Sequence, residues 1–257
     1  MTAPTTAPET PPIPAATVVV MRDVANGPPE ILMVERSKTM VFAGGAMVFP
    51  GGRIDAGDHV LAADLGLDED DGPARVAAVR EAIEEAGVAP GILPPPDAAG
   101  IAALRDALNG GATIGAALDL TGFRFDPDRL IPFARWLPLG MLHRIFDTRF
   151  YLARHVEGAP APVVDATENS RLAWTTAAQA LADADAGRTT LIFPTRRNLE
   201  RLALFASFDE AVAQARAHEI RAITPWVEER NGVECLCIPD DLGYPVTAQP
   251  ASAALRA

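Results

Sequence analysis

The chain has 257 residues, 49% of them apolar, enough for one large core or two small ones. Lys and Arg total 22 against 34 Asp and Glu, a formal charge of -12, which argues against a nucleic-acid backbone held on a basic surface while leaving room for a small anion held through a metal. Two cysteines build no disulfide framework, so a reducing cytoplasm is expected, and no apolar run approaches membrane-spanning length.

The opening "MTAPTTAPETPPIP" lacks the basic region and apolar core of a signal peptide and reads as a disordered tail over residues 1–14. "ATVVVMRD" and "EILMVER" flank "NGPP", which predicts a hairpin over roughly residues 16–36. "AMVFPGG" is a third extended piece, broken at Pro50. An acidic stretch precedes a helix with Pro73 in its first turn, a buried stripe of Val76, Val79, Ile83 and Ala86, and Gly87 as its C-terminal cap. The Ala/Leu-rich run at about 97–125 predicts two short helices inserted between strands. Extended character returns in "RLIPFARWLP", "DTRFYLARH" and "SRLAW". "TTAAQALADADAG" and "PTRRNLERLALFASFDEAVAQARAH" are helical, and Asn231-Gly232 joins two closing strands. The second of those strands points Cys235 and Cys237 to one face, as buried small hydrophobes. No internal repeat appears, so a single α+β domain over about residues 15–250, carrying that helical insertion, is the simplest reading.

The chemistry concentrates in "REAIEEAGV", residues 80–88. Glu81, Glu84 and Glu85 share one helical face, where like charges repel by about 0.2–0.5 kcal/mol per pair. The C-terminal end of a helix disfavours carboxylates as well. A divalent cation would offset both costs, since Mg2+ prefers hard oxygen ligands and substrate phosphates, and Arg80 can clamp one carboxylate. The plain alternative is a solvated acidic helix end.

"GAMVFPGGRIDAGD" followed by "REAIEEAGV" resembles the Nudix hydrolase signature, G-x5-E-x7-R-E-U-x-E-E-x-G-U, with U a bulky apolar residue. Gly52 matches the first glycine; Arg80, Glu81, Glu84, Glu85, Gly87 and Val88 match the second half. Asp58 stands at the first glutamate, and 21 residues (59 through 79) rather than seven separate it from Arg80, so about residues 59–72 are expected to loop out. That split resembles a longer branch of the family, related to the peroxisomal coenzyme A diphosphatases.

The resemblance implies an α/β/α sandwich with a mixed sheet, and hydrolysis of a nucleoside diphosphate linked to another moiety, with Mg2+ or Mn2+ as cofactor. It implies Glu81, Glu84 and Glu85 as metal ligands with the carbonyl of Gly51 or Gly52, Arg80 as the group that orients a carboxylate, and Asp58 and Glu168 as further candidate carboxylates. A second family pattern, that of the coenzyme A pyrophosphatases, L-L-T-x-R-S-x3-R-x-H-x-G-x3-F-P-G-G, runs in register through Arg36, Ser37, Gly45 and Phe49 to Gly52, with Val41 and Ala43 in place of its inner Arg and His. Coenzyme A or an acyl derivative is therefore the expected substrate, with Arg36, Ser37 and Arg53 as its contacts. Another diphosphate (a nucleotide sugar, a dinucleotide, NADH), a non-catalytic nucleotide-sensing module and a ligand-free structural domain are the rivals. The expected partner is a small diphosphate, with no nucleic acid or membrane, and the resemblance leaves room for a homodimer.

Outside the motif, Asp147 and Arg149 are expected in a turn or salt bridge. Of Phe150 and Tyr151, one should join the core and the other line a cleft. Arg196 and Arg197 are expected solvated, with an anionic substrate tail as the alternative, and His143 is expected at the surface or in packing.

Overall fold

The computed structural model describes residues 11–38, 43–139, 145–165 and 169–254. β1 (Ile13–Val24) and β2 (Gly27–Arg36) form the expected hairpin. β1 starts at Ile13, so the tail expected over residues 1–14 gives way to strand before its end. Both strands are apolar on successive residues. Ala16, Val18, Val20, Leu32 and Val34 enter one core, and Val19, Met21, Ile31 and Met33 the other. A strand buried on both faces requires this continuous pattern.

The hairpin splits where the motif begins. β1 pairs with β2 from Met21 onward, while residues 15–17 of β1 pair instead with β4 (Gly51–Arg53). β3 (Met47–Val48) pairs with β2, and Pro50 bridges the gap by accepting the Val18 N–H through its carbonyl at 3.0 Å. β4 is thereby wedged against the middle of the sheet.

α1 (Ala56–Asp64) and α2 (Gly72–Ala86) follow. Residues 59–72 therefore do not simply loop out. The first part is helix, because Asp58 caps the Asp55 N–H at 2.8 Å and Ala62 packs into the core beside α2. β5 (Ile92–Leu93) pairs with β6 (Arg124–Phe125) at the base of a helical excursion, α3 (Ala98–Asn109) and α4 (Ile114–Thr121). Asp97 and Thr113 start these two helices by accepting the N–H groups of Gly100 and Ala116.

β7 (Ile131–Trp136), β8 (Phe146–Arg154), β9 (Asn169–Thr176) and β10 (Ala222–Ile223) complete the main sheet. Its order is β10-β7-β8-β1-β2-β3, with β4 on β1 and β9 on β2. The sheet is mixed: β1 runs parallel to β8 and antiparallel to β2. α5 (Ala177–Asp185), α6 (Phe193–Leu202) and α7 (Phe208–Arg216) cover the face opposite α1–α4, giving an α/β/α sandwich. β11 (Trp226–Arg230), β12 (Val233–Cys237) and β13 (Ala248–Pro250) make a smaller sheet, followed by α8 (Ala251–Ala254). Both cysteines on β12 are buried.

Two expectations about side chains are corrected. Phe150 and Tyr151 are both buried, on opposite faces of β8, so neither lines a cleft; the Tyr151 hydroxyl donates to Asp71 at 2.6 Å. Arg197 is neither solvated nor open to a ligand. It is 2% exposed and donates to Glu200, Gln249 and the Val246 carbonyl, tying α6 to the C-terminal segment. Arg196 pairs with Asp185, while Asp147 accepts a two-bond fork from Arg135 and Arg149 pairs with Asp70. Among the described residues no helix is long and apolar enough to cross a membrane. His143 lies outside the described residues.

Candidate active site

α2 lies over β1 and β4 with its apolar stripe in the core. Val76, Val79 and Ile83 are each at most 1% exposed, and burial of such a side chain contributes about 1.5–3 kcal/mol. The helix ends because Gly87 takes the left-handed conformation (φ 61, ψ 33), returning its N–H to the Ile83 carbonyl while Val88 bonds the Ala82 carbonyl. This stop sets the carboxylates in the last two turns, directly over β4.

The two elements then meet residue by residue. The Gly51 N–H donates to Glu85 Oε2 at 3.0 Å, and the Arg53 carbonyl accepts Arg80 Nη2 at 2.8 Å. Between them Gly52 faces Glu81 so closely that a Cβ there would stand 2.2 Å from Glu81 Oε1. A residue without a side chain leaves room for the Glu81 carboxylate to lie directly against the strand.

Arg80 organises the acidic face. It is 7% exposed and uses Nε and Nη2 as a fork on Asp58 (3.0 Å each), while Nη1 reaches Glu81 Oε1 at 3.0 Å and Glu84 Oε2 at 2.8 Å. Asp58, fully buried, is thus committed to Arg80 and to the Asp55 N–H. The sequence offered it as an extra ligand. The geometry instead makes it the counterion that locks the guanidinium, delivered by the first turn of α1.

Three carboxylates leaning on one guanidinium leave the cluster short of positive charge. Burial draws the Arg80 pKa down, but Asp58, Glu81 and Glu84 outweigh it and hold the group above its ordinary value. Burial pushes Glu81 up to about 8 against the pull of Arg80, with Glu85 and Glu84 adding repulsion. Glu85 is raised to about 7 by burial, moderated by the Gly51 N–H, Asn169 and the charge of Arg36. Glu84 is also raised, chiefly by burial.

Two partners here carry no sequence signal. Arg105, from α3, donates to the Glu84 carbonyl through Nε (2.9 Å) and Nη2 (2.7 Å), and to Val163 through Nη1, bringing a cation to the end of α2 where its dipole favours one. Asn169, the first residue of β9, lies beside Glu85. Both are remote in the chain from α2 and neither falls in a motif.

Of the other expected contacts, Arg36 ends β2 opposite Asn169 with its charge acting on Glu85, Ser37 follows it, and Arg53 is exposed on β4. Glu168 lies outside the described residues.

Does the donor set fit a divalent cation? Among the described residues no three acidic, histidine or cysteine side chains already converge on one ion-sized point. Glu81 and Glu84 turn toward Arg80 and Glu85 toward Gly51. The chemistry nonetheless fits: hard carboxylate oxygens, too little positive charge, and a backbone opened by Gly52.

No protein-family model matches the chain. It is 28% identical over 232 residues to the Caenorhabditis elegans protein "Putative nudix hydrolase 7", spanning 83% of this chain and 69% of that one. It is also similar to a NUDIX hydrolase of known crystal structure from Alicyclobacillus acidocaldarius, with 30% identity, a TM-score of 0.70, and coverage of 80% of this chain and 97% of that one. The strand-wedge-helix arrangement and this likeness place the chain in one class: it belongs to the Nudix hydrolase family.

Proposed function

We propose that the protein cleaves the pyrophosphate bond of a nucleoside diphosphate linked to another moiety, with Mg2+ or Mn2+ as cofactor and coenzyme A or an acyl-coenzyme A as substrate. The observation that carries this reading is the acidic face over β4, where Asp58, Glu81 and Glu84 share the guanidinium of Arg80 and Glu85 accepts the Gly51 N–H. A cation held by Glu81, Glu84, Glu85 and the Gly52 carbonyl would neutralise phosphate oxygens and lower the pKa of the attacking water.

The protein's own groups supply the rest. Asp58 fixes Arg80, and Arg80 in turn holds Glu81 and Glu84 in place without touching substrate. One of the three glutamates takes the proton of the attacking water. Water adds to one phosphorus, the bridging P–O bond breaks, and two phosphate monoesters leave. Arg36 and Ser37 are the proposed phosphate contacts, with Arg53 on the adjoining strand. The proposal takes residues 15–250, including the helical segment at about 97–125, as one catalytic unit working in the cytoplasm, alone or as a homodimer.

A second reading keeps the chemistry and changes the substrate. Val41 and Ala43 stand where the coenzyme A pattern has Arg and His, which favours a nucleotide sugar, a dinucleotide or NADH. A panel of these diphosphates, incubated with Mg2+ or Mn2+ and analysed by mass, separates the two. Fastest cleavage of coenzyme A supports the first, and faster cleavage of another member supports the second. Saturable binding without cleavage of any would indicate a nucleotide-sensing module instead.

A further inference from the structure

α2 ends in five successive carbonyls, those of residues 82–86, and each has a partner. Val88 and Gly87 return their N–H groups to the Ala82 and Ile83 carbonyls within the cap. The other three are met from outside the helix. Arg105 on α3 donates twice to the Glu84 carbonyl, at 2.9 and 2.7 Å. The Asp165 N–H donates to the Glu85 carbonyl at 3.1 Å, and the Val163 N–H to that of Ala86 at 2.9 Å. Arg105 Nη1 also reaches the Val163 carbonyl at 2.9 Å, so one guanidinium joins α3, the last turn of α2 and the segment at 163–165.

Helix ends ordinarily leave such carbonyls to water and fray. Fraying here would also relieve the repulsion among the carboxylates that crowd this turn. The Gly87 cap suffices to stop the helix, and water could satisfy the Glu84 carbonyl. Neither would tie the turn to the rest of the molecule. Arg105 does so by giving up the freedom of a long side chain. Among the described residues it bonds main-chain carbonyls and pairs with no carboxylate.

We propose that Arg105 is a positioning residue: acting through the main chain, it fixes the last turn of α2 and so the direction in which Glu84 and Glu85 are presented to a divalent cation. The helical insertion thereby serves the site it borders. This rests on the reading of Glu84 and Glu85 as metal ligands. Outer groups that orient such ligands change affinity strongly when removed.

The test compares wild type with Arg105→Met, which keeps an apolar stem and removes every donor. Mn2+ affinity is measured by calorimetry without substrate, amide hydrogen exchange on the metal-free protein, and kcat and KM on whichever diphosphate the wild type cleaves. Arg105→Met should bind Mn2+ about 10-fold more weakly and lose kcat by about as much, with KM unchanged. Exchange should quicken over residues 84–88 and 163–165. Asp97→Ala serves as the control, because it loosens the start of α3, where Asp97 accepts the Gly100 N–H at 2.8 Å, and leaves Arg105 in place. It should melt lower and keep its Mn2+ affinity. Should Arg105→Met fail to fold, Arg105→Lys, which keeps the charge without the planar fork, should show the same losses in smaller measure.

Faster exchange or a lower melting temperature with unchanged Mn2+ affinity and kcat would make Arg105 a staple of the fold alone and overturn the proposal. An equal loss of Mn2+ affinity in Asp97→Ala would overturn it too, by assigning the effect to the insertion's general stability. A raised KM with unchanged Mn2+ affinity would make Arg105 a substrate contact instead. Absence of Mn2+ binding by wild type would remove the metal-ligand reading itself, an outcome distinct from a variant that matches a binding wild type.

Discussion

Exchanging one oxygen of Glu85 for an amide nitrogen is the smallest change that interrogates the site. Glu85→Gln should lower kcat with Mg2+ by about 100- to 10,000-fold, the range for a positioned proton-transfer or ligand group. The thermal midpoint should hold or rise, because burial already disfavours this carboxylate. Steady-state kinetics and a melting curve on one preparation check both halves. Gly52→Ala asks the converse question. The added methyl would meet the far end of the Glu81 side chain, which can swing away, so the fold should survive while Glu81 is displaced and turnover collapses. Near-normal kinetics for that variant would dissociate the close approach from activity. The three glutamates were legible from their spacing of three and four on one helical face. Asn169 and Arg105 were not, because each arrives from a different element and is chemically unremarkable until placed against Glu85 or the Glu84 carbonyl.

Between elements, the contact to break is α1 against α2. Asp58→Ala leaves the Arg80 guanidinium buried without its forked partner, and losing one side of a buried pair costs about 3–5 kcal/mol. Urea denaturation should register that loss, while Mn2+ binding should weaken without disappearing, since Asp58 acts through Arg80 on Glu81 and Glu84 rather than as a ligand. Loss of Mn2+ binding in a folded Asp58→Ala protein would restore it as a ligand. Sequence could not decide this, because a match to the motif at position 58 says nothing about which way the carboxylate turns. It turned on a helix that the acidic composition of residues 59–72 had concealed. A second prediction concerns the end of β8, where His155 meets the Trp174 ring edge-on at 5.0 Å. Burial first, and the charge of Arg22 second, hold its pKa below the ordinary histidine value. The unfolded chain therefore binds this proton more readily. The stabilisation is complete above about pH 6.5 and drains as pH falls through the folded-state value. Melting curves of His155→Phe should lose less stability on acidification from about pH 7.5 to about 5.5 than those of wild type. Equal losses would exclude His155 as the source.

At the scale of the whole molecule, ligand binding and folding are coupled. A cation that binds only the folded chain should raise stability by about 2.7 kcal/mol at a hundredfold excess over its Kd, reversibly with a chelator. Differential scanning with Mn2+, then with EDTA, measures this, and an unmoved melting temperature would argue against the proposed cofactor. The sandwich itself was readable in outline. The hairpin came from the apolar runs of β1 and β2 and the sandwich from the family resemblance, and the structure buries both strands on two faces. The split of the hairpin around β4 was hidden, because pairing partners outside the local hairpin leave no mark on Gly51 to Arg53. The Asp58–Arg80 fork carries a lesson of its own. The guanidinium needs an anion at one point in space, and the number of amino acids travelled to deliver it is immaterial. Lineages could therefore lengthen or shorten this excursion freely, and distant cousins would be better recognised by where the counterion lands than by counting letters.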